Sequence, residues 1–322
     1  MTALSNGRVV VLDDYQGQAA DLADWSSLGL DIRFISEHLN PDRLIAELTD
    51  AEIIVTMRER TAFPRPILEN LPALRLLVTT GYSNGKIDLR AARDLGIVVS
   101  RGTQGHSACT TELTWALILS AFRNLPTEDC AIRGGGWQHT YGTDLRGKRL
   151  GLLGLGRLGT AMVPIARAFG LDVVAWSKNL TAEEARDKGA DLVPFETLLR
   201  TSDIVSIHMR LSERTRGLLG ARELAMIGPG ALLVNTSRGE IIDEIAMVAA
   251  VRKGDLRVAL DVYAEEPLPT ESPLRSLGSN SVVTPHLGYV TQDNMARYYT
   301  ESVESILAYR LGAPIRVMYD AT

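Results

Sequence analysis

The sequence has 322 residues, of which 45% are hydrophobic and 23% charged, with a formal net charge of -5 at pH 7. This length predicts about two globular domains, and the negative charge argues against nucleic acid or an anionic membrane as a partner. No stretch approaches the ~20 apolar residues of a membrane span, and the N-terminus does not resemble a signal peptide. Cys109 and Cys130 form neither a metal-binding spacing nor a disulfide framework. We therefore expect a cytoplasmic protein without a metal site.

The first hundred residues alternate short β-rich runs with helical patterns. Strands are predicted at 9–12, 32–35, 53–56, 74–78 and 97–99, and helices at 17–28, 41–49, 64–70 and 88–95. Strands separated by helices indicate parallel crossover connections rather than hairpins. This part of the chain is expected to form a first α/β unit.

The next segment is a predicted helix at 108–121, followed by a Gly- and aromatic-rich arm at 126–147. Because exposed aromatic residues usually find a partner, we favour an interface role for this arm over a loop above the site.

A second α/β unit follows. Its strands are predicted at 149–153, 173–176, 204–208, 231–234, 257–260 and 282–284, and its helices at 157–169, 181–188, 221–227 and 243–253. A last helix, 291–311, is expected to return to the first unit.

A glycine-rich motif, Gly154-Leu155-Gly156-Arg157-Leu158-Gly159, follows one predicted strand and begins a helix. In that context its first glycine permits a tight turn, the second admits a pyrophosphate, and the third allows the helix to approach the strand. The helix N-terminus then offers backbone N–H groups to the anion. The motif predicts a dinucleotide site.

The position that selects the dinucleotide is occupied by Ser177, followed by Lys178, where an NAD site usually has Asp or Glu. A carboxylate that would repel a 2′-phosphate is therefore missing from this position, and Lys178 could attract one. Arg157 and Arg210 are further cations close to predicted strand ends. We expect NADP(H) to be favoured, with NAD(H) possible; alternatively, Lys178 is a solvated surface residue and the enzyme accepts both.

Three further motifs place polar groups directly after predicted strands. Arg238 lies in Asn235-Thr236-Ser237-Arg238-Gly239, carboxylates lie in the run Asp261 to Pro267, and a histidine lies in Thr284-Pro285-His286-Leu287-Gly288. A carboxylate beside a histidine orients the ring and favours its charged form, as a proton donor to a carbonyl requires. An arginine can bind a substrate carboxylate and polarise the neighbouring C=O.

Taken in this order, the four motifs resemble those of the D-isomer-specific 2-hydroxyacid dehydrogenases, which include glyoxylate/hydroxypyruvate reductases and phosphoglycerate dehydrogenases. The resemblance implies that Arg238 binds substrate, that His286 is the acid/base, and that Glu266 is its carboxylate partner, with Glu265 as the competing choice. The implied cofactor contacts are Gly154, Gly156, Arg157, Leu158, Gly159, Ser177, Lys178, His208, Met209, Arg210, Thr215, Thr236, Ser237, Asp261 and Gly288. The implied substrate contacts are Arg58, Arg60, Gly81, Tyr82 and Arg238.

The resemblance also implies two Rossmann-like or flavodoxin-like α/β domains with parallel sheets and an active site in the interdomain cleft. A discontinuous substrate domain would comprise 1–103 and 291–322, and a dinucleotide domain 104–290, with a homodimer built on the arm near 120–147. The sequence departs from the family pattern in an apparent insertion, Gly85-Lys86, and in Arg210, where a proline is common. Arg58 and Arg60 could equally belong to a surface ion pair with Glu59.

The expected activity is NAD(P)H-dependent reduction of a small 2-oxo acid to the D-2-hydroxy acid, with His286 as the proton donor. Two alternatives stay open. One is a non-enzymatic dinucleotide sensor similar to a co-repressor, and the other is a formate or phosphite dehydrogenase on the same scaffold.

Overall fold

The computed structural model describes residues 7–105 and 108–318, and the chain folds into two compact units. Unit 1 comprises Met1–His106 with Thr291–Thr322, and unit 2 comprises Ser107–Val290. The strands of each unit form a parallel sheet. The predicted α/β class with two parallel sheets is confirmed.

The strands and helices alternate along most of the chain. In chain order the strands are β1 (Arg8–Val11), β2 (Ile32–Phe34), β3 (Ala51–Thr56), β4 (Leu76–Thr79), β5 (Val98–Arg101), β6 (Arg149–Leu153), β7 (Asp172–Trp176), β8 (Asp191–Leu192), β9 (Ile204–Ile207), β10 (Leu232–Asn235), β11 (Arg257–Leu260) and β12 (Ser281–Val283). The α-helices are α1 (Pro41–Leu48), α2 (Arg65–Leu68), α3 (Leu89–Asp94), α4 (Ala108–Phe122), α5 (Leu125–Arg133), α6 (Arg157–Ala168), α7 (Ala182–Asp187), α8 (Phe195–Thr201), α9 (Ala221–Leu224), α10 (Glu244–Lys253) and α11 (Gln292–Arg310).

The sheet of unit 1 has the strand order β2-β1-β3-β4-β5. Its central strands are buried on both faces, which is why they read as continuous apolar runs in the sequence. Helix α1 begins where predicted, because the Asn40 side chain accepts a hydrogen bond from the N–H of Arg43 and Pro41 occupies the first turn. Helix α11 belongs to this unit.

The sheet of unit 2 has the strand order β12-β11-β10-β9-β6-β7-β8. The strand numbers run in opposite directions on either side of the β9–β6 pair, so the topology switches there. In such sheets ligands bind beyond the carboxyl ends of the strands at the switch point. Gly154, His208, Thr236, Asp261 and Thr284 all follow strands directly and share that edge of the sheet.

The structure differs from the predicted elements in three parts of the chain. The segment 17–28 is not one helix but two 3-10 turns, Ala19–Asp21 and Trp25–Leu28, because the carboxylates of Asp14 and Asp24 hydrogen-bond nearby backbone N–H groups and compete with a continuous helix. The arm 126–147 is not irregular throughout, since its first part is α5, whose Pro126 lies in the first turn where proline is tolerated. The prediction also missed β8 and α8, which are short.

Within residues 7–105 and 108–318, no helix is both long and apolar enough to cross a bilayer. The same residues contain no group of three or more His, Cys, Asp or Glu side chains that could hold a metal ion.

Candidate functional site

The turn after β6 is shaped by glycines at positions where a side chain would collide with backbone. Gly154 adopts φ +99°, and a Cβ atom there would lie 2.6 Å from the carbonyl oxygen of His208. A Cβ atom at Gly159 would overlap the carbonyl oxygen of Gly154. At Gly156, the N-cap of α6, a Cβ atom would meet no described heavy atom within 4 Å. Backbone atoms therefore block the sides of the turn at Gly154 and Gly159, whereas the side at Gly156 is open. This arrangement fits a phosphate group that approaches the N-terminus of α6.

The cations expected near the adenosine half of a bound dinucleotide lie on the surface of unit 2. Lys178 is exposed just beyond β7, and the preceding Ser177 is partly buried. Arg157 and Arg210 are also exposed, one at the start of α6 and the other beyond β9. All four residues follow strands at the same edge of the sheet, so their placement is compatible with contacts to one dinucleotide.

The segment after β9 is stabilised by its own polar side chains. The Nε2 atom of His208 lies 2.9 Å from the Ser206 hydroxyl, and burial lowers the pKa of His208 to about 4, so its ring is neutral at physiological pH. The Thr215 hydroxyl donates to the carbonyl of Arg210 at 2.7 Å. Met209 packs against the hydrophobic core. These contacts hold the backbone of the predicted cofactor segment in place.

The turn that presents Arg238 is built by Asn235, which is fully buried at the end of β10. Its side-chain amide donates to the carbonyl of Arg238 at 2.9 Å, and its side-chain oxygen accepts from the N–H of Ser237 at 3.0 Å. Ser237 donates its hydroxyl to Ile207, and the Thr236 hydroxyl lies 2.9 Å from that of Thr114 on α4. The Arg238 guanidinium stays partly exposed and donates to the carbonyl of Ser237 at 2.7 Å.

The histidine is paired with Glu266 rather than with Glu265. Its Nδ1 atom lies 2.6 Å from Glu266 Oε2, and the two side chains are 22% and 25% exposed. Glu265 is exposed to solvent. The backbone of His286 has φ +54°, a left-handed conformation that is uncommon for a residue other than glycine and is often found at functional sites. The ring of Tyr289 meets the imidazole edge-to-face, with centroids 5.3 Å apart.

The loop carrying His286 is held by a buried carboxylate. Asp261 is completely buried and accepts hydrogen bonds from the Thr284 hydroxyl at 2.6 Å and from the N–H groups of Leu287 and Gly288 at 2.7 and 2.8 Å. Burial raises the pKa of Asp261, and these hydrogen bonds offset part of that rise. Within the described residues, the contacts of this carboxylate thus position the histidine loop.

Four contributors to this site were not assigned a role from the sequence: Thr110, Thr114, Tyr263 and Tyr289. The hydroxyl of Thr110 donates to the carbonyl of Gly288 at 2.7 Å, and Thr114, one helical turn further along α4, meets Thr236. Their i, i+4 spacing on one helix face was a usable signal, but the partners are more than a hundred residues away. Tyr263 and Tyr289 lie next to functional motifs, and the sequence does not reveal which atoms they contact.

Two of the arginines predicted to bind substrate, Arg58 and Arg60, lie in unit 1 and contact different partners. Arg58, with φ +50°, donates from Nη1 to the Tyr298 hydroxyl at 3.0 Å, and its Nε lies 3.7 Å from Glu59 Oε2. Arg60 donates to the carbonyl of Asp13 at 2.6 Å. An ion pair with Glu59 was the alternative role for both arginines. The distance between Arg58 and Glu59 is longer than the distance from Arg58 to the Tyr298 hydroxyl.

The predicted substrate loop of unit 1 is an ordered turn beyond β4. A Cβ atom at Gly81 would lie 3.1 Å from the carbonyl of Ser83. Tyr82 is 46% exposed, and the Arg101 guanidinium stacks on its ring at 4.1 Å from the centroid. The side chain of Asn84 binds the N–H of Lys86 at 2.9 Å, which closes the turn around the two apparently inserted residues.

Comparisons with known proteins agree with this architecture. Residues 115–288 match the family model described as D-isomer specific 2-hydroxyacid dehydrogenase, NAD binding domain. Glyoxylate reductase from Aeropyrum pernix is 37% identical over 256 residues, which cover 76% of each protein. D-3-phosphoglycerate dehydrogenase from Archaeoglobus fulgidus is 31% identical over 312 residues, 96% of this chain but only 58% of that longer relative. The crystal structure of phosphoglycerate oxidoreductase from Vibrio cholerae O395 superposes with a TM-score of 0.90 at 30% identity, covering 95% of this chain and 100% of the other.

Proposed function

This chain belongs to the D-isomer-specific 2-hydroxyacid dehydrogenase family, and on that basis we propose that it reduces a small 2-oxo acid to the D-2-hydroxy acid. The observation that carries the proposal is the 2.6 Å contact between His286 Nδ1 and Glu266 Oε2 at the edge of the sheet that also bears the glycine-rich turn. The NAD-binding family match supports a nicotinamide dinucleotide as the cofactor.

A dinucleotide held at the glycine-rich turn would supply the hydride for C2 of the substrate, and His286 would supply the proton to the carbonyl oxygen. Because Nδ1 of His286 donates to Glu266, the proton for the substrate is carried on Nε2. The contact with Glu266 fixes the orientation of the imidazole. The hydroxyl oxygen of the product retains the proton, and reprotonation of His286 from solvent completes the cycle.

Arg238 is proposed to bind the substrate carboxylate through its planar guanidinium and to polarise the adjacent carbonyl. The turn built by Asn235 supports this role, since the Asn235 side chain binds the carbonyl of Arg238 and the N–H of Ser237 and leaves the arginine side chain partly exposed. In unit 1, Arg58, Arg60, Gly81 and Tyr82 are proposed as further substrate contacts.

We further propose that NADP(H) is preferred over NAD(H). Ser177 stands where a carboxylate would select against a 2′-phosphate, and Lys178, Arg157 and Arg210 lie exposed beyond strands at the same sheet edge. An exposed cation attracts a phosphate with a strength that salt reduces.

A homodimer formed through the arm is the proposed assembly. Helix α5 and the following loop expose large apolar side chains, namely Leu125 at 52%, Ile132 at 51%, Trp137 at 73% and Tyr141 at 99%. Exposed apolar side chains are common at interaction surfaces, which supports this proposal. Sedimentation of Trp137→Asp beside the unchanged protein tests it, since loss of the dimer is expected, and a monomer in both samples would contradict it.

The test of the activity is a substrate panel of glyoxylate, hydroxypyruvate, pyruvate and phenylpyruvate, assayed with NADPH and with NADH, with chiral analysis of the product. We expect turnover of at least one acid to its D-isomer, and Arg238→Ala should raise KM and lower kcat. Tight cofactor binding without turnover would favour the dinucleotide sensor. Oxidation of formate or phosphite instead of 2-oxo acid reduction would favour the other alternative.

A further inference from the structure

Tyr263 connects the two strand ends that carry the histidine and its carboxylate. The residue follows β11 and is 7% exposed. Its hydroxyl donates to the carbonyl of Thr284 at 2.9 Å, across to the segment that follows β12. Its own N–H donates to Glu266 Oε1 at 2.9 Å, while Oε2 of the same carboxylate meets His286. One residue therefore contacts both Glu266 and the segment that carries His286.

The carbonyl that Tyr263 binds is also used by the histidine itself. The N–H of His286 donates to the Thr284 carbonyl at 3.1 Å, so this oxygen accepts from two donors. The left-handed backbone of His286 is costly for a side chain with a Cβ and persists only where surrounding contacts hold it. The Tyr263 hydroxyl fixes the carbonyl on which that conformation depends.

The backbone of Tyr263 also meets the arginine turn. A Cβ atom at Gly239, the residue after Arg238, would overlap the carbonyl carbon of Tyr263, so the two loops are in direct backbone contact. Burial raises the pKa of the Tyr263 phenol, which keeps it protonated and able to donate throughout the physiological range.

We propose that Tyr263 is a positioning residue for the Glu266–His286 pair. It touches neither substrate nor cofactor in this role. Its hydroxyl fixes the position of the histidine loop through the Thr284 carbonyl, and its N–H fixes the side-chain conformation of Glu266. The role in catalysis depends on the proposed function, whereas the effect on the imidazole does not.

The first experiment compares Tyr263→Phe with the unchanged enzyme, using Tyr309→Phe in unit 1 as a matched control. Because misplacing a reacting group by even 1 Å is costly, kcat should fall about tenfold, with KM and the cofactor Kd changed less than about twofold. The solvent deuterium isotope effect on kcat should rise, because proton transfer from a displaced ring becomes more rate-limiting. A variant that merely folds less well would lose active sites without changing the isotope effect.

A double-mutant cycle then asks whether Tyr263 acts through His286. In a His286→Asn background, Tyr263→Phe should lower the residual rate by less than about twofold, because residues that act as one unit are not additive. An undiminished tenfold loss in that background would overturn the proposal.

A third measurement needs no turnover and so separates this inference from the proposed activity. The chain has five histidines, which makes the imidazole signals of His286 assignable by NMR through His286→Asn. Tyr263→Phe should shift those signals and Tyr309→Phe should not. Unchanged His286 signals in Tyr263→Phe would refute the positioning role, whereas an enzyme inactive on every 2-oxo acid would refute only the proposed function.

Discussion

Two regions at one edge of the unit 2 sheet differ in how their residues are held. The histidine loop, residues 284–288, is hydrogen-bonded to the fully buried Asp261, to Tyr263 and, through Gly288, to Thr110. The cation group, Arg157, Lys178 and Arg210, lies on the surface. The first region derives its geometry from buried contacts, and the second offers charge on long, exposed side chains.

Because of this difference, we expect the two regions to control different properties, the reaction rate and the cofactor preference. Buried, hydrogen-bonded groups are positioned closely enough to transfer a proton, and losing one contact leaves an unpaired polar partner. Exposed cations interact weakly and are screened by salt, which suits the selection between two cofactors that differ by one phosphate. Substitutions in the histidine loop should therefore change the rate, while substitutions in the cation group should change preference.

The largest effect is expected in the histidine loop. His286→Asn removes the proposed proton donor, so kcat for 2-oxo acid reduction should fall about 10²–10⁴-fold while the cofactor Kd stays within about twofold. Steady-state kinetics and a cofactor titration measure both quantities. His38→Asn, an exposed histidine of unit 1, is the control. Full activity in the His286 variant would refute the assignment of the acid.

The next largest effect is expected at the close contact between Gly159 and Gly154 in the proposed cofactor turn. Gly159→Ala would force the start of α6 away from the carbonyl of Gly154, and overpacking of this kind costs about 1–3 kcal/mol. We expect cofactor affinity to fall about tenfold or more by calorimetric titration. Gly228→Ala is the matched control, because a Cβ there meets no described atom within 4 Å. Equal affinity in the two variants would show that the close approach does not matter.

The cation group should give a smaller and more selective effect. Lys178→Ala is expected to lower kcat/KM for NADPH about tenfold and to leave the value for NADH nearly unchanged, with the difference shrinking as salt is added. Lys253→Ala, an exposed lysine at the end of α10, controls for general charge effects. A tenfold advantage of NADH in the unchanged enzyme would reverse the proposed preference.

A buried carboxylate in unit 1, Glu301, tests whether hydrogen bonds to a buried charge govern stability at a position other than the Glu266–His286 pair. Burial alone would raise the pKa of Glu301, but hydrogen bonds from Thr103 and the charge of Arg297 lower it overall. A lowered pKa contributes stability above the unfolded-state pKa of about 4.3, and that stability is lost as the pH falls through the folded-state value.

Glu301→Gln should therefore reduce the free energy of unfolding at pH 7 by about 1–3 kcal/mol, with a smaller reduction near pH 4. Urea unfolding at both pH values measures it, and Glu304→Gln, at an exposed ion pair with Arg316, is the control. A loss of equal size at both pH values would mean that the charge of Glu301 is not the stabilising feature.

The sequence predicted much of the fold because strand and helix signals were local. Parallel strands buried on both faces read as short apolar runs, and caps such as Asn40 marked helix starts. The failures were also local in origin. Asp14 and Asp24 satisfy backbone N–H groups that a helix at 17–28 would have used, and the two-residue strand β8 is too short to show a periodic pattern.

At the site, sequence motifs indicated which residues carry chemistry but not how they are held. The choice of Glu266 over Glu265 rested on family resemblance, and the contact with Nδ1 of His286 depends on the path of the chain between β11 and β12. The contacts of Thr110, Thr114 and Tyr263 join segments that are distant in sequence or belong to different strands. No single-sequence pattern reports such pairings.

By itself, the sequence determined the α/β class, the glycine turn before α6 and the residue types after each strand, because these follow from local steric and hydrophobic rules that act over a few residues. Only the tertiary structure decided which carboxylate meets His286, that Asp261 holds the histidine loop, and that Tyr263 contacts both Glu266 and the Thr284 carbonyl. Those contacts arise when β11 and β12 align side by side, since a hydrogen bond between two loops exists only once the sheet has set their separation.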